Sequence, residues 1–393
     1  MRLLYVIDSL APGGAERSLA ALAPAYRARG VDLEVASLRD RRGVQGELET
    51  AGARLWSLTG GGGRVGAIRR ARALIRERRP DLVHTTLFEA DVAGRIGARL
   101  AGVPVVSSLV NEEYGPEHLG NPRLRQWKVR GVQVVDAATA RLTVRLHAVS
   151  VPVADVMARR LRYPRARIDV VPRGRDPAAL GDRTESRRRQ ARTALDLADD
   201  DRVVLAVCRQ DHQKGLDVLV ESIARLRGGG ARVQLLVAGR EGDQSTRLAS
   251  RVTQLGLGAS VRFLGERDDV ADLLCAADVF ALPSRREGLA GALLEAMALD
   301  APVVASDIPA TREVVDESSA GLVPPDDAGA LADAIEAVFA HPEQAKRRSA
   351  VARVRFLDRF TVDRAADGMV AFYERVLAGR SVVGLRTAPR RPG

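Results

Sequence analysis

Only two of the 393 residues are cysteine, Cys208 and Cys275, far apart in the chain, so neither a disulfide framework nor a zinc-binding spacing can be built. Aromatic residues make up 4% of the sequence, and no basic stretch offers a platform of stacked aromatics, which argues against a nucleic-acid partner. No run approaches the roughly 18 apolar residues that a membrane-spanning helix needs. The opening stretch, Met1-Arg2-Leu3-Leu4-Tyr5-Val6-Ile7-Asp8, meets an acid after one short apolar run, which fits a first β-strand better than a secretion signal. The expected location is therefore the cytoplasm. Lysine is almost missing too: 58 of the 61 basic residues are arginine, leaving Lys128, Lys214 and Lys346.

What is present is a chain with 46% hydrophobic residues, long enough for two domains with separate cores. Short apolar runs alternate with amphipathic segments from end to end, which predicts parallel sheets covered by helices. Expected strands are Leu3–Ile7, Leu33–Ser37, Arg54–Leu58, Leu82–Thr85, Val103–Leu109, either Ala140–Val144 or Leu146–Val149, and Ile168–Val171. The rhythm restarts with Val203–Val207, Val233–Ala238, Val261–Leu264, Val279–Leu282 and Val303–Ala305. A Pro-, Gly- and charge-rich stretch from Arg173 to about Asp201 reads as a linker. The expected domains are 1–175 and 176–361, followed by a helix over 362–380 that crosses back to the first domain and a disordered tail over 381–393. The Gly60–Gly63 run reads as a mobile surface loop.

Charge is uneven. Residues 1–176 hold 30 basic and 18 acidic side chains, whereas 177–393 hold 31 and 32. The basic half suits anionic lipid or a phosphorylated acceptor, or is simply solvated. Within it, Arg123–Arg130 reads either as a membrane-surface helix or as an ordinary amphipathic helix with Trp127 in the core.

Chemistry concentrates at strand-to-helix turns. In Ser284-Arg285-Arg286-Glu287-Gly288-Leu289-Ala290-Gly291-Ala292-Leu293-Leu294-Glu295, two carboxylates stand eight residues apart across a small-residue turn between an expected strand and helix. In an open parallel sheet that junction lies at the carboxyl edge, where ligands bind and a helix start favours an anion. Arg209-Gln210-Asp211-His212-Gln213-Lys214-Gly215 places two cations after the strand Val203–Val207. Ala11-Pro12-Gly13-Gly14-Ala15-Glu16 follows the first strand, where glycines let a ligand approach the backbone, although a plain glycine turn explains them equally. The paired acids Asp268-Asp269 and Asp326-Asp327 read as helix caps and not as metal ligands.

These landmarks, in this order, resemble the large family 4 of nucleotide-sugar glycosyltransferases, the group 1 enzymes with a paired-glutamate motif. The resemblance implies an α/β fold of the GT-B type, two facing Rossmann-like domains with parallel sheets and an interdomain cleft. It implies a retaining transferase that moves a sugar from a nucleotide-diphosphate donor to an acceptor hydroxyl, with no cofactor and no metal. Carried onto this sequence, Arg209, Lys214 and Glu287 would be catalytic. Gly13, Gly14, Arg209, Lys214, Glu287, Gly288, Leu289, Ala290, Gly291 and Glu295 would bind the donor. Glu287 would touch the sugar and Glu295 the ribose, and Arg209 with Lys214 would stabilise charge growing on the leaving diphosphate.

Departures bear on the acceptor side. Asn111 stands where many members carry a histidine, and its amide can hydrogen-bond a sugar hydroxyl without accepting a proton. His84, Asn111, Glu112 and Arg173, the last replacing an asparagine, are the expected sugar or acceptor contacts. As a lone histidine His84 reads more often as a satisfied structural residue, and Arg173 equally as part of the linker. Leu289 and Ala290 replace Phe-Gly in the turn. The expected partners are a nucleotide-sugar donor and a saccharide, lipid-linked or small-molecule acceptor, with an anionic membrane surface compatible with the basic half. Two other readings fit parts of the pattern: a nucleotide-sugar epimerase and a sugar-nucleotide-binding protein without turnover.

Overall fold

The computed structural model describes residues 1–385 apart from 42, 116–124, 199, 230 and 231. The chain divides into unit 1, Met1–Gly174 with Val362–Gly393, and unit 2, Arg175–Thr361. Unit 1 is built on β1 (Arg2–Ile7), β2 (Asp32–Ser37), β3 (Arg54–Ser57), β4 (Leu82–Thr86), β5 (Val105–Leu109), β6 (Arg145–Ala148) and β7 (Ile168–Val170). These form one sheet in the order β3-β2-β1-β4-β5-β6-β7, parallel throughout. Every residue of β4 and β5 is buried, as helices on both faces of a parallel sheet require.

Unit 2 repeats the plan with β8 (Arg202–Val207), β9 (Val233–Ala238), β10 (Val261–Gly265), β11 (Val279–Leu282), β12 (Val303–Ser306) and β13 (Gly321–Val323), in the order β10-β9-β8-β11-β12-β13. Strand order reverses between β1 and β4 in unit 1 and between β8 and β11 in unit 2. At such a reversal neighbouring crossovers leave on opposite faces, and a crevice opens beyond the strand ends.

Several expectations need correction. The stretch read as a linker folds into helices Pro177–Leu180 and Glu185–Ala194, which belong to unit 2. Arg187 reaches Asp272 (2.6 Å), Arg188 reaches Asp278 (2.7 Å) and Arg192 donates to the Ala276 carbonyl (3.1 Å). Its charges therefore dock the helix and do not solvate a tether. The last helix runs from Val362 to Leu385, five residues into the expected tail, and the rest of that tail lies outside the described residues. Of the two candidates around residue 145, the later one is the strand, because Gln126–Ala140 is a helix. The Gly60–Gly63 run is tied down by Arg70, which donates to the carbonyls of Leu58, Gly61 and Gly60 at 2.8, 2.8 and 3.2 Å. Asp327 caps the helix Ala328–Ala340 through two amides at 2.9 Å. Asp269 stands at the N-cap of the helix Val270–Ala276, as expected, but its carboxylate pairs with Arg267 and makes no capping bond.

Two polar networks cross the core of unit 1. Arg95, on the helix Phe88–Ala101, is fully buried and pairs with Asp136 (2.6 Å) and Asp91 (3.1 Å) while donating to Ser107 (2.8 Å). Burial pushes the Asp91 carboxyl up to about 7. Tyr114, held at φ +66°, donates to the second oxygen of Asp136 at 2.8 Å, so this network also anchors the loop after β5.

The second network is a directional chain. The Val171 carbonyl can only accept, so His147 Nε2 carries a proton toward it (2.9 Å) and Nδ1 accepts from Ser108 (2.7 Å). Ser108 Oγ then accepts from His84 Nε2 (2.7 Å), and His84 Nδ1 accepts from Tyr373 (2.6 Å) on the last helix. This direction needs both rings neutral, and burial pulls them that way: His147 falls to about 4, and His84 drops well below 6.5 through burial and the neighbouring His147. A folded-state value below the unfolded one means that the unfolded chain protonates first as pH falls. The stability held here is fully present above about pH 6.5 and is lost as pH falls toward about 4. The melting temperature is expected to fall with pH over that window more steeply in the native protein than in His147→Gln. Parallel declines would show that the ring does not carry the dependence.

Candidate active site

Within unit 2 the loops after β8 and β11, the two strands at the reversal of order, are locked against each other. Gly215 makes this approach feasible: it sits at φ +65°, and a Cβ there would overlap the Pro283 carbonyl. Gln213 Nε2 donates to the Arg286 carbonyl (2.8 Å), and Arg285 N–H donates to the Gln213 carbonyl (2.9 Å). Arg285 is itself held by Asp217 (2.9 and 2.8 Å) and Asp326 (2.6 Å).

This stitching brings Lys214 Nζ to 2.6 Å from Glu287 Oε1, which also accepts from Ser284 Oγ at 2.7 Å. Glu287 is buried and Lys214 partly exposed. A buried carboxylate fixed by a cation and a hydroxyl is an oriented acceptor for sugar hydroxyls, and the ammonium beside it is placed to meet an anion. Arg209 is not part of that pair. It is half-exposed and bonded to Asp211. Cys208, before it, is no nucleophile, because burial pushes its thiol up to about 12.

Glu295, one turn into the helix Gly291–Ala298, pairs with Arg175 at 2.6 Å. Leu289 is buried in the turn and fills the place expected of a phenylalanine. Asp300, after the helix, takes a left-handed conformation (φ +50°) and pairs with Arg353 at 3.1 Å.

The remaining expected contacts lie in unit 1. Gly13 caps the helix Gly14–Ala28 with no side-chain bond, and the Glu16 carboxylate folds into the space a Gly13 side chain would fill. The glycine turn expected to bind the donor therefore carries an anion of its own. Arg173 lies over the same turn, with Nη1 3.1 Å from a Cβ built on Gly14. Asn111 turns its side-chain oxygen onto the Glu112 N–H at 3.0 Å. His84 is the correction: it is buried with both ring nitrogens engaged by Tyr373 and Ser108, so it offers no free nitrogen to a sugar.

Sequence reasoning passed over Ser284, Asp211 and Arg175. Ser284, three residues before Glu287, carried a readable signal. Arg175 carried none among 58 arginines.

The fold agrees with comparison to known proteins. Residues 201–341 match the family described as Glycosyl transferases group 1, and residues 12–179 match Glycosyltransferase Family 4. The chain is 30% identical over 329 residues to a 2-deoxystreptamine N-acetyl-D-glucosaminyltransferase of Streptomyces fradiae, covering 79% of this chain and 74% of that protein. It is 29% identical over 321 residues to a D-inositol 3-phosphate glycosyltransferase of Jonesia denitrificans, covering 77% and 73%. The crystal structure of Anabaena HepE in complex with UDP-glucose superposes with a TM-score of 0.84 at 24% identity, over 95% of this chain and 100% of that one, which fixes the fold as GT-B. With both halves matched and the Streptomyces relative spanned over most of its length, the chain belongs to the group 1, family 4 glycosyltransferases.

Proposed function

We propose that this glycosyltransferase takes its sugar from a nucleoside-diphosphate donor, works with retention at the anomeric carbon and needs no metal. The observation that carries the reading is the Lys214–Glu287 pair at the strand-order reversal of unit 2. The carboxylate holds the donor sugar while Lys214, with Arg209 nearby in sequence, meets the charge released on the diphosphate. Glu287 is committed to Lys214 and Ser284, so no general base is assigned, and the leaving phosphate itself takes the acceptor's proton. The bond to the nucleoside diphosphate breaks and the acceptor oxygen bonds to the anomeric carbon on one face, which keeps the anomeric configuration.

UDP in the solved HepE complex supports starting with uracil nucleotides, and the names of the two relatives point to cyclitol acceptors. The basic half and the side chains of Arg125, Trp127, Lys128 and Arg130, all exposed on or beside the helix Gln126–Ala140, support contact with an anionic bilayer. Trp127 is 66% exposed and so is not the core residue of the alternative reading. No helix among the described residues is long and apolar enough to cross a membrane.

The test is a panel of UDP, GDP, ADP and TDP sugars, with EDTA and with Mg²⁺, read by thermal shift and by NMR of the product anomer, and run with and without vesicles containing phosphatidylglycerol. Stabilisation by one nucleotide class, EDTA-resistant turnover and a retained anomer are expected, with the protein sedimenting with the anionic vesicles. An inverted product or a requirement for Mg²⁺ would overturn the mechanism, and unchanged sedimentation would remove the membrane contact.

A further inference from the structure

Arg175 sets a cation beside a helix start. Its guanidinium lies against Gly291, so closely that any Cβ there would overlap it. Gly291 opens an eight-residue helix whose cap, Ala290, makes no side-chain bond and whose first turn has no acid. A helix start carries partial positive charge, so a guanidinium beside it is unfavourable until an anion joins them. The carboxylate it reaches is Glu295, at 2.6 Å, with only 11% and 17% of the two side chains exposed. The backbone of Arg175 is fixed independently: its N–H donates to the Phe360 carbonyl at 3.0 Å, and it forms a β-bridge with Thr361. The side chain can therefore swing without moving the chain.

We propose that Arg175 is an exchange residue for the donor. In the free protein it occupies Glu295. When a nucleoside diphosphate binds, the ribose hydroxyls take over the Glu295 carboxylate, and the guanidinium turns onto the diphosphate at the start of the helix. This rests on the reading of Glu295 as the ribose contact. Its physical content is that the ion pair opens cheaply only for a ligand bringing both parts. A nucleoside brings the diol but supplies no anion of its own to the displaced, partly buried arginine. A nucleoside diphosphate supplies that anion, and the planar fork of Arg suits it. The residue thus makes the site discriminate the diphosphate from its own nucleoside.

Calorimetric titration of the full chain with uridine and UDP, and in parallel with guanosine and GDP, tests this. In Arg175→Ala the nucleoside is expected to bind several-fold tighter and its diphosphate about tenfold weaker, so their ratio collapses. Equal shifts for both ligands, or an unchanged ratio, would overturn the exchange and leave Arg175 a structural cation. If Arg175→Ala fails to unfold cooperatively, Arg175→Gln, which keeps a donor for Glu295, is read by the same ratio. The donor reading fails separately: by absence of binding of either diphosphate to the native protein, or by undiminished nucleoside affinity in Glu295→Ala.

Discussion

Replacing Lys214 by alanine is expected to lower kcat by about 10²–10³-fold, the range for losing one preorganised group that meets developing negative charge. The loop should survive the change, because Gln213 and Gly215 hold it and the ammonium bonds only to Glu287 among the interactions named above. Lys214 and Glu287 share one contact, so their effects should not add: Lys214→Ala/Glu287→Ala should be little worse than the poorer single variant. Arg209→Ala should cost less than Lys214→Ala, since Asp211 already neutralises a half-exposed Arg209. Steady-state rates with donor saturating decide this, alongside a thermal melt. Near-native turnover of Lys214→Ala would dissolve the assignment of the site, whereas a larger loss in Arg209→Ala would move its electrostatic centre to the arginine.

Arg95→Ala is expected to destabilise unit 1 by about 3–5 kcal/mol, the cost of breaking a buried ion pair while its partners stay behind. Two carboxylates, Asp91 and Asp136, would be left in the core without their cation. The damage should extend to the segment after β5, because Tyr114 is anchored through Asp136. Urea unfolding with a probe in each unit measures it, and a loss under about 1 kcal/mol would mean that the network relaxes or hydrates. Arg95→Met combined with Asp91→Asn and Asp136→Asn should recover part of the loss, because no charge then remains uncompensated.

Much of this was legible in the sequence, for a physical reason. Strands buried on both faces must be nearly continuous apolar runs, so β1, β2, β4, β8, β9 and β11 could be read within a residue or two. β13 is a Gly-Leu-Val triplet, too short to show any period, and escaped. The motif glutamates and Lys214 were readable because turn chemistry is local. Pairings across long stretches of chain were not: Arg175 and Glu295 are 120 residues apart. In a chain whose basic residues are almost all arginine, the buried Arg95 and the exposed Arg130 look alike. The neutrality of His84 needed three partners on three elements. Family membership then sets aside the epimerase and binding-only readings.

The division of the chain also orders its birth. Unit 2 is one uninterrupted stretch, whereas unit 1 receives Phe372, Tyr373 and Val376 into its core only from the far end of the sequence. Unit 2 can therefore finish folding without the last helix, while unit 1 waits for it with an apolar surface open along the helix Gly14–Ala28. The usual progression of domains from the N-terminus is inverted. A chain ending at residue 361 would hold all of unit 2 and a unit 1 still missing its last helix, with the apolar surface of that gap open to chaperones.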